Sequence, residues 1–170
     1  MSRTQVTGYS LAGMLVIAFL AGSTMSFVAV PVPYWLFLFT LPSVLALQWG
    51  LLAPVLVGFT SALGCSLGHL PTFIIGYSSA KLSRRVTTKI NIPLYNRAIE
   101  WAQKRGSLAV FALSAIPNPA HLATTMAIGA LHFSPIKFFL FSLLGNIVKS
   151  LFLAFCGYFG LTSLFRILGL

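Results

Sequence analysis

The chain has 170 residues, 58% of them apolar and 7% charged, with a mean hydropathy of +0.94 and a formal net charge of +10. A water-soluble domain carries about a quarter charged residues, so the shortage implies lipid as the solvent and excludes an ordinary soluble domain. The positive surplus lies beside apolar spans, where Lys and Arg hold the cytoplasmic side of a membrane protein, so no nucleic-acid partner is expected.

In chain order, residues 9–30 are uncharged and long enough for one crossing, and the reading is a retained first transmembrane helix rather than a cleaved signal peptide. Pro31 and Pro33 break it, because proline removes a backbone donor and pushes the residue before it out of helical geometry. Residues 34–49 are apolar but carry Pro42, and sixteen interrupted residues are short for a crossing. They predict a re-entrant helix that enters and returns on one side, with an ordinary kinked crossing as the alternative. Residues 51–80 form a long apolar segment with Gly64 and Gly68 at a spacing that permits close helix approach.

Residues 81–105 then gather Lys81, Arg84, Arg85, Lys89, Arg97, Lys104 and Arg105, together with Glu100, the chain's sole acidic residue. Residues 4–80 and 106–136 on either side hold no charge at all, so this basic island is expected to be cytoplasmic. Within it, Pro93 suits a helix start and Gly106 a C-terminal cap. The pattern between them predicts an amphipathic helix on the inner leaflet, with Trp101 at headgroup level.

The apolar stretch 107–128 is split by Pro117, Asn118, Pro119 and His121, which cannot continue a helix and are costly against bare lipid. A second re-entrant hairpin with its polar tip in a cavity is predicted. Residues 135–159 can span, with Lys137 at the start and Lys149 at the middle, and residues 161–170 form a tail carrying Arg166. Cys65 and Cys156 have no ligand spacing and are expected to be reduced, buried thiols.

An offset of 81 residues aligns 46–79 with 127–160. It superposes Pro54 on Pro135, Ser61 on Ser142, Leu63-Gly64 on Leu144-Gly145, Leu70 on Leu151 and Gly76-Tyr77 on Gly157-Tyr158. Each unit reads as a proline-broken hairpin followed by a glycine-bearing span. Two such units in tandem, 31–80 and 107–160, would face opposite ways in the membrane, and their hairpins would meet near the midplane.

Three stretches carry a family resemblance. Residues 64–76 (GCSLGHLPTFIIG), 111–131 (FALSAIPNPAHLATTMAIGAL) and 137–160 are similar to motifs of the VTT domain, the DedA or SNARE-associated Golgi protein superfamily, closest to its small prokaryotic branch. The resemblance implies two facing re-entrant hairpins and movement of lipids between leaflets, by scramblase or flippase action on phospholipid or undecaprenyl phosphate. The chain departs from the pattern at His69, where the family often has Asp, and at Ser114, where many bacterial members have Arg. No carboxylate occurs within the spans, which argues against proton coupling through membrane-embedded acids.

Lys149 is the sharpest candidate, because a mid-span ammonium needs a cavity, a partner or a ligand, and a lipid phosphate would satisfy it. Its rival is snorkelling to an interface. Asn118 and His121 either line a headgroup path or bond the hairpin's freed backbone. His69 either titrates or contacts a headgroup, or packs as a neutral side chain. Asn146 either supports Lys149 or bonds to a neighbouring helix. The cytoplasmic interface is assigned to Lys81, Arg84, Arg85, Arg97, Trp101, Lys104 and Arg105. No carboxylate is available to orient a histidine, and His69, His121 and His132 lack metal-ligand spacing, so neither an enzyme nor a metal or other cofactor is expected.

The sequence thus predicts an all-α polytopic membrane protein with an inverted-topology repeat, two facing re-entrant hairpins and transmembrane helices, in a prokaryotic plasma membrane. Its expected partners are membrane lipids, a phospholipid or polyprenyl phosphate, with homo-oligomerisation left open. A non-transporting scaffold or assembly factor is the alternative, and an ion-coupled small-solute transporter a weaker one.

Overall fold

The computed structural model describes residues 3–23, 34–78, 105–117, 121–131 and 133–168. Among the described residues the fold is all helical: α1 (Arg3–Gly22), α2 (Tyr34–Trp49), α3 (Leu52–Ser78), α4 (Arg105–Ala115), α5 (His121–Ala130) and α6 (Pro135–Leu168). Three of them, over Gln5–Gly22, Leu52–Ser78 and Pro135–Leu161, are long and apolar enough to cross a membrane. The outward faces of the helices are apolar, with Leu47 on α2 and Ile136 and Phe152 on α6 all strongly exposed, as a lipid-facing surface requires.

Several local features follow from the residues. Pro42 lies inside α2 instead of breaking it. Its ring is buried, and only the one backbone bond that its missing N–H would make is lost. Gly50 adopts φ +50° between α2 and α3, accepting the left-handed geometry that other residues avoid. Its amide bonds Ala46 O at 2.8 Å, and its carbonyl accepts from Ala53 N at 3.1 Å, so the chain reverses within two residues. Pro135 opens α6, where a missing amide costs nothing, and Phe138 N bonds back to Ser134 O at 2.8 Å. Gly106, expected as a C-cap, is the second residue of α4 and leaves room for the Phe133 ring to lie against its backbone. The rest of the expected amphipathic helix lies outside the described residues. Cys65 is buried as expected, whereas Cys156 faces outward from α6, and both thiols are free.

α3 and α6 pack antiparallel as the central pair, touching through Ser61–Ser150, Ser66–Asn146 and His69–Ser142. α1 runs alongside the first part of α3. Gly64 lies on Leu15, Ala18 and Phe19, Gly68 lies on Phe19 and Gly22, and Gly22 lies on the Cys65 carbonyl, so α1 ends beside the middle of α3. α2 starts at the same level, with Tyr34 bonded to Ser61, and finishes where α1 began, with Thr7 bonded to Gln48 and Trp49. α4 and α5 occupy the other half. α4 passes from Phe133 to Gly145, and α5 runs from His121, beside His69, to Gly129 against Phe73 and Tyr77.

Two apolar cores result. One joins Met14, Ala18, Leu38, Leu45, Ala53, Val57 and Ala154, and the other joins Phe73, Ala109, Val110, Ile128 and Phe138. Phe73 and Phe138 stack with centroids 4.3 Å apart, a geometry that favours aromatic pairs.

Glycines at the 81-residue offset make corresponding contacts. Gly64 faces Leu15, Ala18 and Phe19, while Gly145 faces Phe111, Ser114 and Ala115. Gly76 abuts the backbone of Met126, and Gly157 abuts the backbone of Phe39. A Cβ at any of these four would overlap fixed main chain, whereas one at Gly13 would meet nothing within 4 Å. The expected outcome is that Gly76→Ala and Gly157→Ala each destabilise the protein by about 1–3 kcal/mol. Gly13→Ala should be neutral or slightly stabilising, and detergent thermal unfolding of the three variants checks it.

Candidate functional site

The two cores are separated by a belt of polar side chains where α3 and α6 cross. α6 presents Ser142, Asn146, Lys149 and Ser150 along one stripe, at the i, i+4, i+7 and i+8 spacing that puts residues on a common helical face. α3 supplies Ser61, Ser66 and His69 opposite them. The four serines and Asn146 are fully buried, so every polar atom here needs a protein partner.

The partners form two connected sets. Around Ser61, the Tyr34 hydroxyl lies 2.7 Å from Ser61 Oγ, which lies 3.3 Å from Ser150 Oγ, linking α2, α3 and α6. Around Ser142, Ser114 Oγ donates at 3.2 Å and Asn146 Nδ2 at 3.4 Å, while His69 Nδ1 lies 3.3 Å away. With two donors already directed at it, the Ser142 hydroxyl sends its own proton to His69 Nδ1, which places the neutral ring's proton on Nε2. The His121 ring stands 5.5 Å from that of His69. Ser61–Ser150 and Ser142–His69 are the same pair of positions at the 81-residue offset.

Lys149 joins the second set through Asn146. Its Nζ donates to Asn146 Oδ1 at 2.6 Å, and the Asn146 amide nitrogen donates to Ser66 Oγ at 3.0 Å. Asn146 thus accepts from the lysine with its carbonyl and donates to the neighbouring helix with its amide. The ammonium is half-buried in a helix long enough to span, and no carboxylate lies among the described residues. An uncompensated ammonium at such a depth costs several kcal/mol, roughly, unless a further anionic or polar group reaches it.

α4 ends at Ala115, against Gly145, and Lys149 lies one turn, about 6 Å, farther along α6. It thus projects from the level at which its neighbouring helix has already stopped. Pro117 follows that end and is exposed.

Of the residues expected at the site, the structure brings Lys149, Asn146, His69 and His121 together. Asn118, Pro31, Pro33, Pro119, Lys81, Arg84, Arg85, Arg97, Trp101 and Lys104 lie outside the described residues, and Arg105 is the exposed first residue of α4. Sequence reasoning passed over Tyr34, Ser66 and Ser150 and treated Ser61 and Ser142 only as repeat markers. Their signal was the stripe on α6, in which small hydroxyls flank Asn146 and Lys149 inside an apolar run. The buried groups can accept and donate hydrogen bonds, and the one fixed charge is positive. The belt therefore suits an anion with several oxygen acceptors.

The VTT domain model matches residues 32–159, which takes in α2 through most of α6. No curated protein and no solved structure matches the chain. With three helices fit to cross a membrane and a family match over most of its length, the chain is a membrane protein that belongs to the VTT-domain, DedA/SNARE-associated family.

Proposed function

We propose that this protein moves a phosphate-bearing lipid, a phospholipid or a polyprenyl phosphate, between the leaflets of its membrane. The observation that carries this reading is Lys149, a half-buried ammonium on a spanning helix, held by Asn146 and lacking any carboxylate partner among the described residues. A lipid phosphate supplies the missing negative charge, while the acyl tails stay in the surrounding bilayer. The family is membrane-associated and its members are often proposed as lipid transporters, which supports the same reading.

The architecture that goes with it is an inverted repeat. α1 and α2 form one hairpin and α4 and α5 another, each reaching only to the polar belt and returning. In this assignment α1 is the first arm of a hairpin rather than a full crossing, because Gly22 rests against Cys65 half-way along α3. Support comes from the reciprocal contacts. α3 of the first unit abuts α5 of the second at Gly76–Met126, and α6 of the second abuts α2 of the first at Gly157–Phe39. Two hairpins that stop half-way shorten the apolar barrier a headgroup must cross. They leave Lys149, Asn146, His69 and His121 along its route.

The basic segment between α3 and α4 belongs on the cytoplasmic side of a prokaryotic inner membrane. The starts of α1 and α3 and the end of α6 then lie outside. With Cys65 and Cys156 replaced by Ser, single cysteines at the exposed positions Gln5 and Trp49 should react with a membrane-impermeant maleimide added to intact cells. Cysteines at Arg105 and Leu131 should react only after the cells are opened. Labelling of both pairs from the same side would rule out the opposed hairpins.

Lys149→Ala separates lipid translocation from a scaffolding role. In proteoliposomes the variant should lose at least about tenfold in the rate of labelled-phospholipid exchange, the cost of removing one charged hydrogen-bonding partner. Its unfolding temperature in detergent should stay within a few degrees of the parent's, the loss of a half-buried charge offsetting the acceptor left open on Asn146. Unchanged exchange would favour a protein that only packs partner helices.

A further inference from the structure

We propose that the Lys149 site selects headgroups that carry negative charge and no ammonium, so that it takes anionic lipids and refuses zwitterionic phosphatidylcholine and phosphatidylethanolamine. This rests on the translocation reading above and adds the substrate class.

The reasoning is a count of charge in a poorly solvated place. Lys149 contributes one positive charge to the belt, and the described residues contribute no negative one. A singly anionic phosphate beside it gives a neutral pair. A zwitterionic headgroup leaves the net positive charge as it was and adds a second cation to be solvated.

Among the described residues no carboxylate meets that second cation. Ammonium groups in low-dielectric sites are met by carboxylates or by a cage of aromatic faces. The sole acidic residue of the chain, Glu100, falls in sequence among the basic residues 81–105, and no carboxylate occurs among the described residues. The acceptor that Asn146 offers is already taken by Lys149 at 2.6 Å. Of the aromatic rings at the belt, Tyr34 has its hydroxyl on Ser61 and its ring edge-on to Trp35 at 5.2 Å. The His69 and His121 rings lie 5.5 Å apart and become cations themselves on protonation. The lysine keeps ammonium protons beyond its bond to Asn146 that can donate to phosphate oxygens, while the serine hydroxyls and the asparagine amide are engaged with protein partners. None of them compensates an ammonium charge.

The full-length protein is placed in phosphatidylcholine vesicles containing traces of acyl-labelled phosphatidylglycerol, phosphatidic acid or phosphatidylcholine, and exchange between leaflets is followed by quenching from outside. Phosphatidylglycerol, phosphatidic acid or both should cross at least about tenfold faster than phosphatidylcholine. Preference for phosphatidic acid alone assigns the site to phosphate monoesters, and preference for phosphatidylglycerol alone assigns it to diesters. Lys149→Gln should bring the rates to within about twofold of each other, and Lys149→Arg should keep the preference. Equal rates for the three lipids in the unaltered protein overturn the selectivity and leave translocation standing. No exchange of any of them overturns both.

Discussion

The constraint that governs this molecule is that a helix cannot end inside hydrocarbon with its last backbone groups unpaired. Each terminus leaves about four amides or carbonyls without a partner within the helix, and lipid offers none. α1 stops beside Cys65, α2 starts at Ser61, α4 stops at Gly145 and α5 starts beside His69, all near the middle of the long central pair. The hydroxyls, amide and imidazoles of the belt occupy the same level.

Glycine makes the arrangement close enough to work. At Gly64, Gly76, Gly145 and Gly157 the backbone of one helix lies directly on its neighbour, with no side chain between them. Lipid tails are as apolar as leucine, so helix association in a membrane depends on close contact of this kind more than on burial. The two apolar cores then clamp the belt from either side, and the Phe73–Phe138 stack closes one of them. Asn146 ties the two central helices together and also holds the only lysine of the belt. One side chain thus serves packing and the site at once.

Much of this was legible in the residues. The charge-free stretches on either side of residues 81–105 declared the solvent, Pro117 follows the end of α4 and Pro135 opens α6, and the repeated serine–glycine spacing related the two long helices. Lys149 was conspicuous because a cation in an apolar run is expensive wherever it points. Other features were read less well, for a common reason. Pro42 looked like a break because the loss of a backbone bond shows in sequence, whereas the packing that tolerates it does not. The serines looked incidental because a hydroxyl in an apolar helix can bond its own backbone unseen.

What the sequence determined by itself was the medium, the helical class, the family pattern and the presence of one unpaired charge. All of these follow from composition and local spacing. What only the tertiary structure decided was which residues meet. Ser142 is within reach of both His69 and Ser114, Asn146 faces Ser66 across the helix pair, and α1 ends beside the middle of α3. Those pairings depend on the depth and rotation at which separate helices dock, set by glycine contacts between segments distant in the chain. Periodicity within one segment carries no information about its neighbour.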